Sequence, residues 1–374
     1  MRGRFPALGL ALLLACRLEA VDTAAPAEVE TVLFLLGDAG APDPAGEPVL
    51  QALEREIARN PDRSIVVFLG DNVYPRGVPG AGSPDRAEAE RRLLAQIQAA
   101  SNASRTIFIP GNHDWEEGGK GGWEAIRREE ALVAGRGSPR LAYLPRGGCP
   151  GPEILDIGAS LRLVALDTQW WLHRGPKPGP GSGCASDTEQ AISASLDAAL
   201  AGAGGRRVAV VAHHPLLSGG EHGGTFAWTS HLFPLRGLAG WLWVPLPIVG
   251  SAYPLARQRG VSSQDLSSPE YARMVKALRT CLARRPPVLY ASGHEHNLQV
   301  LDGRTGGGPS YLLVSGAGIF GGTTPLARLG ETLHASAEAG FQRVEMMTGG
   351  RVRLTVFTVG RDGQPRAHFV KWLD

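Results

Sequence analysis

Five short apolar runs, each followed at once by a small polar cluster, constrain this chain more than any other feature. The runs are Thr31 to Leu36, Ser64 to Leu69, Thr106 to Ile109, Val208 to Ala212 and Val288 to Ala291. Their length and their Val, Ile, Leu and Phe content predict strands buried on both faces. The clusters behind them are Gly37-Asp38-Ala39-Gly40, Gly70-Asp71-Asn72-Val73-Tyr74, Gly111-Asn112-His113-Asp114, His213-His214-Pro215 and Gly293-His294-Glu295-His296. In α/β sheets ligands gather beyond the carboxyl ends of the strands. Five groups of metal-ligand residue types are therefore expected on one rim.

Between the runs, apolar residues recur at helical spacing over Pro48 to Arg59, Asp85 to Ala100, Gly122 to Ala134 and Ser186 to Ala201. Beyond Leu298 strand patterns dominate: Tyr311 to Val314, Phe341 to Met346, Arg351 to Val359 and Ala367 to Trp372. This order predicts a mixed α/β (α+β) sandwich in which two sheets pack face to face and helices cover the outside, an αββα arrangement of four layers. No repeat or linker divides the 374 residues, so one catalytic domain is expected over 28–374. An apolar insertion at about 229–262 holds Trp241, Trp243 and a run of Leu, Val and Ile. Its prolines argue against a transmembrane helix. Two readings stay open for 231–255: a loop packed on the domain, or an apolar lid or membrane-facing patch beside His222.

Residues 1–20 read as an export signal, with Arg2 and Arg4 before the apolar stretch Ala7 to Ala15. Cleavage after Ala20 and lipidation of Cys16 are both open, and either places the protein outside the cytoplasm, periplasmic or secreted, with a lipid anchor in the second case. Cys149 and Cys184 lie in loops rich in Gly and Pro and are expected to pair, whereas Cys281 follows a helical segment and packs as a small hydrophobe. The net charge of +2 is spread without a Lys/Arg block, so no nucleic-acid-binding surface is evident. No Cys-rich metal spacing exists, so any metal takes O and N ligands.

A pair of cations about 3.5 Å apart needs a carboxylate that bridges them, anionic ligands on the harder ion and neutral ones on the softer. The five clusters contain those pieces. Their motifs, Gly-Asp-x-Gly, Gly-Asp-x-x-Tyr, Gly-Asn-His-Asp, Val-x-x-His and Gly-His-x-His, resemble those of the purple acid phosphatases within the calcineurin-like metallophosphoesterases, in order from Gly37 to His296. Glu221-His222-Gly223 also resembles a loop of the small mammalian-type enzymes. The resemblance implies iron(III) on Asp38, Tyr74 and His296, a divalent ion (Fe, Zn or Mn) on Asn112, His213 and His294, and Asp71 shared between them. It makes His213 the ligand and His214 a neighbour.

It further implies a phosphoric ester hydrolase of the acid phosphatase type, acting on a phosphate ester with metal-bound hydroxide as nucleophile. His113 is then held by Asp114 and aimed at the phosphate, while His222 of the Glu221-His222 pair faces the leaving group. A phosphodiesterase or nucleotidase of the same superfamily and a non-catalytic surface-binding protein on this fold are the alternatives.

Overall fold

The computed structural model describes residues 28–233, 235, 241–305 and 307–373; the expected export signal over 1–20 lies outside them. The first sheet is built from β1 (Val29–Leu36), β2 (Ser64–Phe68), β3 (Arg105–Phe108) and β4 (Leu141–Tyr143). The second takes β5 (Glu153–Ile157), β6 (Leu161–Ala165), β7 (Arg207–Val211), β8 (Leu289–Ser292), β9 (Leu298–Asp302), β10 (Tyr311–Ser315) and β11 (Thr332–Ser336). The chain then returns to the first sheet through β12 (Gly340–Met347), β13 (Val352–Val359) and β14 (Pro365–Trp372). Strand orders are β14-β13-β12-β1-β2-β3-β4 and β11-β9-β10-β8-β7-β6-β5. The central neighbours β1, β2 and β3 run parallel, as do β6, β7 and β8.

Side chains alternate across each strand, and this splits β1 between two cores. Leu33 and Leu35 face the second sheet and pack with Val67, Val211, Ala291 and Leu313. Phe34 and Leu36 face outward, against α1 (Pro48–Ile57), α2 (Arg86–Ala99) and α3 (Gly122–Ala134) through Leu53, Leu93 and Ile126. The outer face of the second sheet is covered by the single-turn α4 (Gln169–Leu172), by α5 (Glu189–Ala201) through Ile192 and Leu196, and, past α6 (Trp228–Leu232) and α7 (Val249–Gln258), by α8 (Pro269–Arg284) through Met274 and Leu278. The result is the expected four-layer sandwich. Near-continuous apolar strands follow, because both faces of each sheet are buried.

The helix expected from Ser186 begins at Glu189, because the Thr188 hydroxyl caps it by accepting the Ala191 N–H at 3.2 Å. Strands β4, β5, β6, β9 and β11 are short and lie outside the runs that the sequence pattern predicts. Cys149 and Cys184 form a disulfide, with Cα atoms 5.6 Å apart, and Cys281 is buried on α8. Within the insertion, α6 covers the start and α7 the later part, while residues 241–248 before α7 form no helix. Trp228, Trp241, Trp243, Ile248 and Tyr253 stay more than half exposed. No helix among the described residues is long and apolar enough to cross a membrane.

Candidate metal centre

The tips of β1, β2, β7 and β8 meet because glycine lets their backbones approach. A Cβ on Gly37 would lie 2.9 Å from Gly293 Cα, and one on Gly70 would lie 2.6 Å from His213 Nδ1. Asp38, Asp71 and His294 all adopt positive φ (58°, 54° and 69°), a region that costs a non-glycine residue about 1 to 3 kcal/mol and is concentrated at functional sites.

One oxygen of each central carboxylate is pinned by the backbone. Asp38 Oδ2 accepts the His294 N–H at 2.8 Å and Asp71 Oδ1 accepts the His113 N–H at 2.9 Å. The other oxygens face inward. Asp38 Oδ1 lies 3.1 Å from the Tyr74 hydroxyl and 3.4 Å from His296 Nε2. Asp71 Oδ2 lies 3.3 Å from the Tyr74 hydroxyl on one side and 3.4 Å from His213 Nε2 on the other. Asn112 Oδ1 completes the second group, 3.0 Å from both His213 Nε2 and His294 Nδ1. Asp71 thus stands between Asp38, Tyr74 and His296 on one side and Asn112, His213 and His294 on the other.

Each imidazole is oriented by a backbone carbonyl. His213 Nδ1 donates to Leu69 O at 2.8 Å, His294 Nε2 to Gln264 O at 3.0 Å and His296 Nδ1 to Gly322 O at 3.2 Å. Such bonds select the tautomer and leave the opposite nitrogen as a lone-pair donor. Burial and the neighbouring His222, His214 and His213 push His294 well below its usual pKa, so its ring stays neutral. Its Nδ1 lone pair then faces the Asn112 carbonyl oxygen, acceptor against acceptor. A cation between them resolves that conflict. For His213 and His296 burial acts downward, but Asp71 and Asp38 respectively outweigh it and raise both to about 9. Buried carboxylates, a phenol, an amide oxygen and three oriented imidazoles fit two O/N-ligated metal ions.

His214 is not part of this set. Its Nδ1 accepts from the Thr168 hydroxyl at 2.8 Å and its Nε2 donates to Gln264 Oε1 at 2.9 Å, so neither nitrogen is free. His113 is partly exposed beside Tyr74, with its Nε2 3.9 Å from Asp71 Oδ2. The expectation that Asp114 holds the His113 ring is corrected: Nδ1 bonds the Pro75 carbonyl at 2.7 Å. Asp114 is fully buried and accepts the N–H groups of Gly111, Asn72 and Val73, clamping two ligand loops together. Burial and Asp71 raise it to about 7.

His222 stacks on His294, with ring centroids 3.9 Å apart. Asp265 and Arg257, rather than Glu221, contact its ring nitrogen, and the sequence reading named neither. Burial and Glu295 raise the Glu221 carboxyl. Glu295 itself anchors the loop, accepting the Ser218 hydroxyl at 2.8 Å and the Gly223 N–H at 3.1 Å.

The sequence pattern of the calcineurin-like phosphoesterases matches residues 32–298, spanning every ligand candidate from Asp38 to His296. The chain belongs to that family. Comparison with curated protein sequences finds no significant match. Among solved structures this phosphoesterase resembles the Plasmodium protein described as "GAP50 the anchor in the inner membrane complex" (TM-score 0.58, 15% identity, 93% of this chain and 89% of that one). It also resembles the purple acid phosphatase PPD1 of yellow lupin (0.55, 15%, 91% and 53%) and PhoD (0.52, 12%, 93% and 69%). At such identities the likeness concerns the fold. The phosphoesterase spans about half the length of the lupin enzyme.

Proposed function

We propose that this metallophosphoesterase is a phosphomonoesterase of the purple acid phosphatase type. The observation that carries the reading is the Tyr74 hydroxyl, within 3.3 Å of Asp38 Oδ1, Asp71 Oδ2 and His296 Nε2. Burial, Asp38 and Asp71 all hold that phenol protonated, well above its usual pKa. Ionising it beside two carboxylates takes a cation of high charge, which favours iron(III) at Asp38, Tyr74 and His296. Asn112, His213 and His294 supply neutral donors suited to a divalent Fe, Zn or Mn, with Asp71 shared.

When bound, such a pair supplies Lewis acidity toward a phosphoryl oxygen and toward water. The chain contributes the rest. His113, its Nδ1 held by Pro75 O, keeps Nε2 available to a phosphoryl oxygen next to Asp71. His222, on the second group's side, is the candidate proton donor to the leaving oxygen.

Export is part of this reading, and the Cys149–Cys184 disulfide supports it, since such bonds persist in oxidising compartments. Tyr253, more than half exposed on α7 and bonded to the Arg257 that contacts His222, supports an apolar rim beside that histidine. The deciding comparison is hydrolysis of p-nitrophenyl phosphate against its bis ester by iron-loaded protein. Faster cleavage of the monoester is expected. Preference for the diester returns the phosphodiesterase reading. No turnover of either by protein carrying two metals returns the non-catalytic surface-binding reading, with which the fold likeness to a protein described as an anchor agrees.

A further inference from the structure

We propose that Asp265 is a positioning residue for His222, holding its ring so that a proton reaches the departing alcohol oxygen of the ester. The proposal rests on the phosphomonoesterase reading and adds a residue from just beyond the apolar insertion. The loop between α7 and α8 is bonded by two consecutive residues to the ligand candidate His294 and to the neighbouring His214 and His222. Gln264 accepts His294 Nε2–H through its carbonyl oxygen and His214 Nε2–H through its side-chain oxygen. Asp265 Oδ1 lies 3.0 Å from His222 Nδ1, and the Leu266 N–H donates to the His222 carbonyl at 3.0 Å. His222 is therefore gripped at ring and backbone by the same loop.

Arg257 of α7 completes the grip. Its guanidinium forks onto both Asp265 oxygens, donates to the Tyr253 hydroxyl at 2.7 Å and lies near the ring of Phe226. Burial opposes ionisation of Asp265, but hydrogen bonds from His222 and Arg257 outweigh it and keep the carboxylate an acceptor. A carboxylate accepting at Nδ1 fixes which imidazole nitrogen faces the substrate, as the third member of a catalytic triad does. Asp265 Oδ1 and Arg257 Nη2, each 3.0 Å from Nδ1, occupy that side of the ring, so Nε2 is the nitrogen that serves the leaving group.

The proton balance is simple. The water oxygen bonds to phosphorus as the bond from phosphorus to the alcohol oxygen breaks. The departing oxygen takes the Nε2 proton of a His222 ring protonated on both nitrogens and leaves as the alcohol, the ring keeping its Nδ1–H on Asp265. The proton released by the water restores the ring, and the second product is inorganic phosphate. An alkyl leaving group needs that proton, whereas p-nitrophenolate departs without it.

The test is Asp265→Asn, with Asp265→Ala beside it and metal content and melting temperature as checks of folding. An asparagine turns its oxygen to Arg257, which only donates, and its amide N–H to His222 Nδ1, reversing the tautomer. In zinc-loaded, 15N-histidine-labelled protein, a His222 Nδ1–H resonance is expected in the wild type and its loss in both variants. Turnover of glycerol phosphate should fall about 10- to 100-fold with KM little changed, while p-nitrophenyl phosphate turnover stays within about 3-fold. An Nδ1–H signal retained in Asp265→Asn, or equal losses on both esters, overturns the proposal. If the wild type cleaves neither ester, the phosphatase reading fails and the spectrum alone decides the pairing.

Discussion

Tyr74 and Asp71 meet 3.3 Å apart across the centre although they are neighbours on one short loop after β2. The cis peptide bond from Tyr74 to Pro75 lies just beyond, and the Tyr74 carbonyl oxygen accepts Arg92 Nη1 at 2.7 Å. A single loop thus supplies both the shared carboxylate and the phenol.

Tyr74 carries the choice of iron. A phenolate on iron(III) absorbs visible light by charge transfer, so aerobically purified, iron-reconstituted protein should be violet or pink, and Tyr74→Phe colourless. A visible spectrum decides it. A colourless wild type at full activity with only Mn or Zn bound removes iron(III) and leaves the dinuclear phosphoesterase.

Asp71→Asn tests the shared ligand. Asn tolerates positive φ better than most residues, so the 54° backbone survives and the fold should persist. Metal content and activity are expected to fall together, activity by several orders of magnitude. Two metals retained at near-normal turnover would refute the bridging role.

His113→Ala should keep both metals, because the ring lies beside them without joining either ligand group, yet lower turnover about 100-fold. Metal analysis and kinetics on one sample check it. Lost stability with an unchanged rate per folded molecule would make His113 structural.

Asp167 predicts a pH dependence of stability. It is fully buried, and burial raises it to about 7 although it accepts from Trp115 Nε1 at 2.8 Å and from the Gln169 N–H at 3.0 Å. Between the unfolded carboxyl pKa near 3.9 and this folded value, the folded state holds a proton that the unfolded state has released. Stability should therefore fall as pH rises from about 4 to 7, by up to about 4 kcal/mol from this group. Denaturant melts of metal-free protein across that range, beside Asp167→Asn, measure it. The slope should flatten in the variant; an identical slope contradicts the assignment.

Cys149 and Cys184 close a loop of 35 residues, worth about 2 to 4 kcal/mol of stability. Peptide mass mapping of exported protein should find them linked, and reduction should lower the denaturation midpoint. Alkylation of both thiols in native protein would rule the bond out.

The sequence alone determined the five strands that carry the ligand clusters and what stands at their ends. Phe34 and Leu35 are both apolar because β1 is buried on both faces, and Gly37, Gly70 and Gly293 mark the turns where ligands could follow. Those signals are local, so they survive in one dimension. Tertiary structure alone decided how the ligands are held. His213 and His296 are oriented by the carbonyls of Leu69 and Gly322, groups that every residue carries and no composition reveals. His113 takes its ring partner from Pro75 instead of the adjacent Asp114, because the Asp114 carboxylate is consumed by backbone N–H groups. Asp265 lies 43 residues beyond His222, past an insertion with no clear period. Only the packing of α7 and its following loop against the strand tips brings the carboxylate to the ring, since hydrogen-bond distance depends on the folded path and not on spacing along the chain.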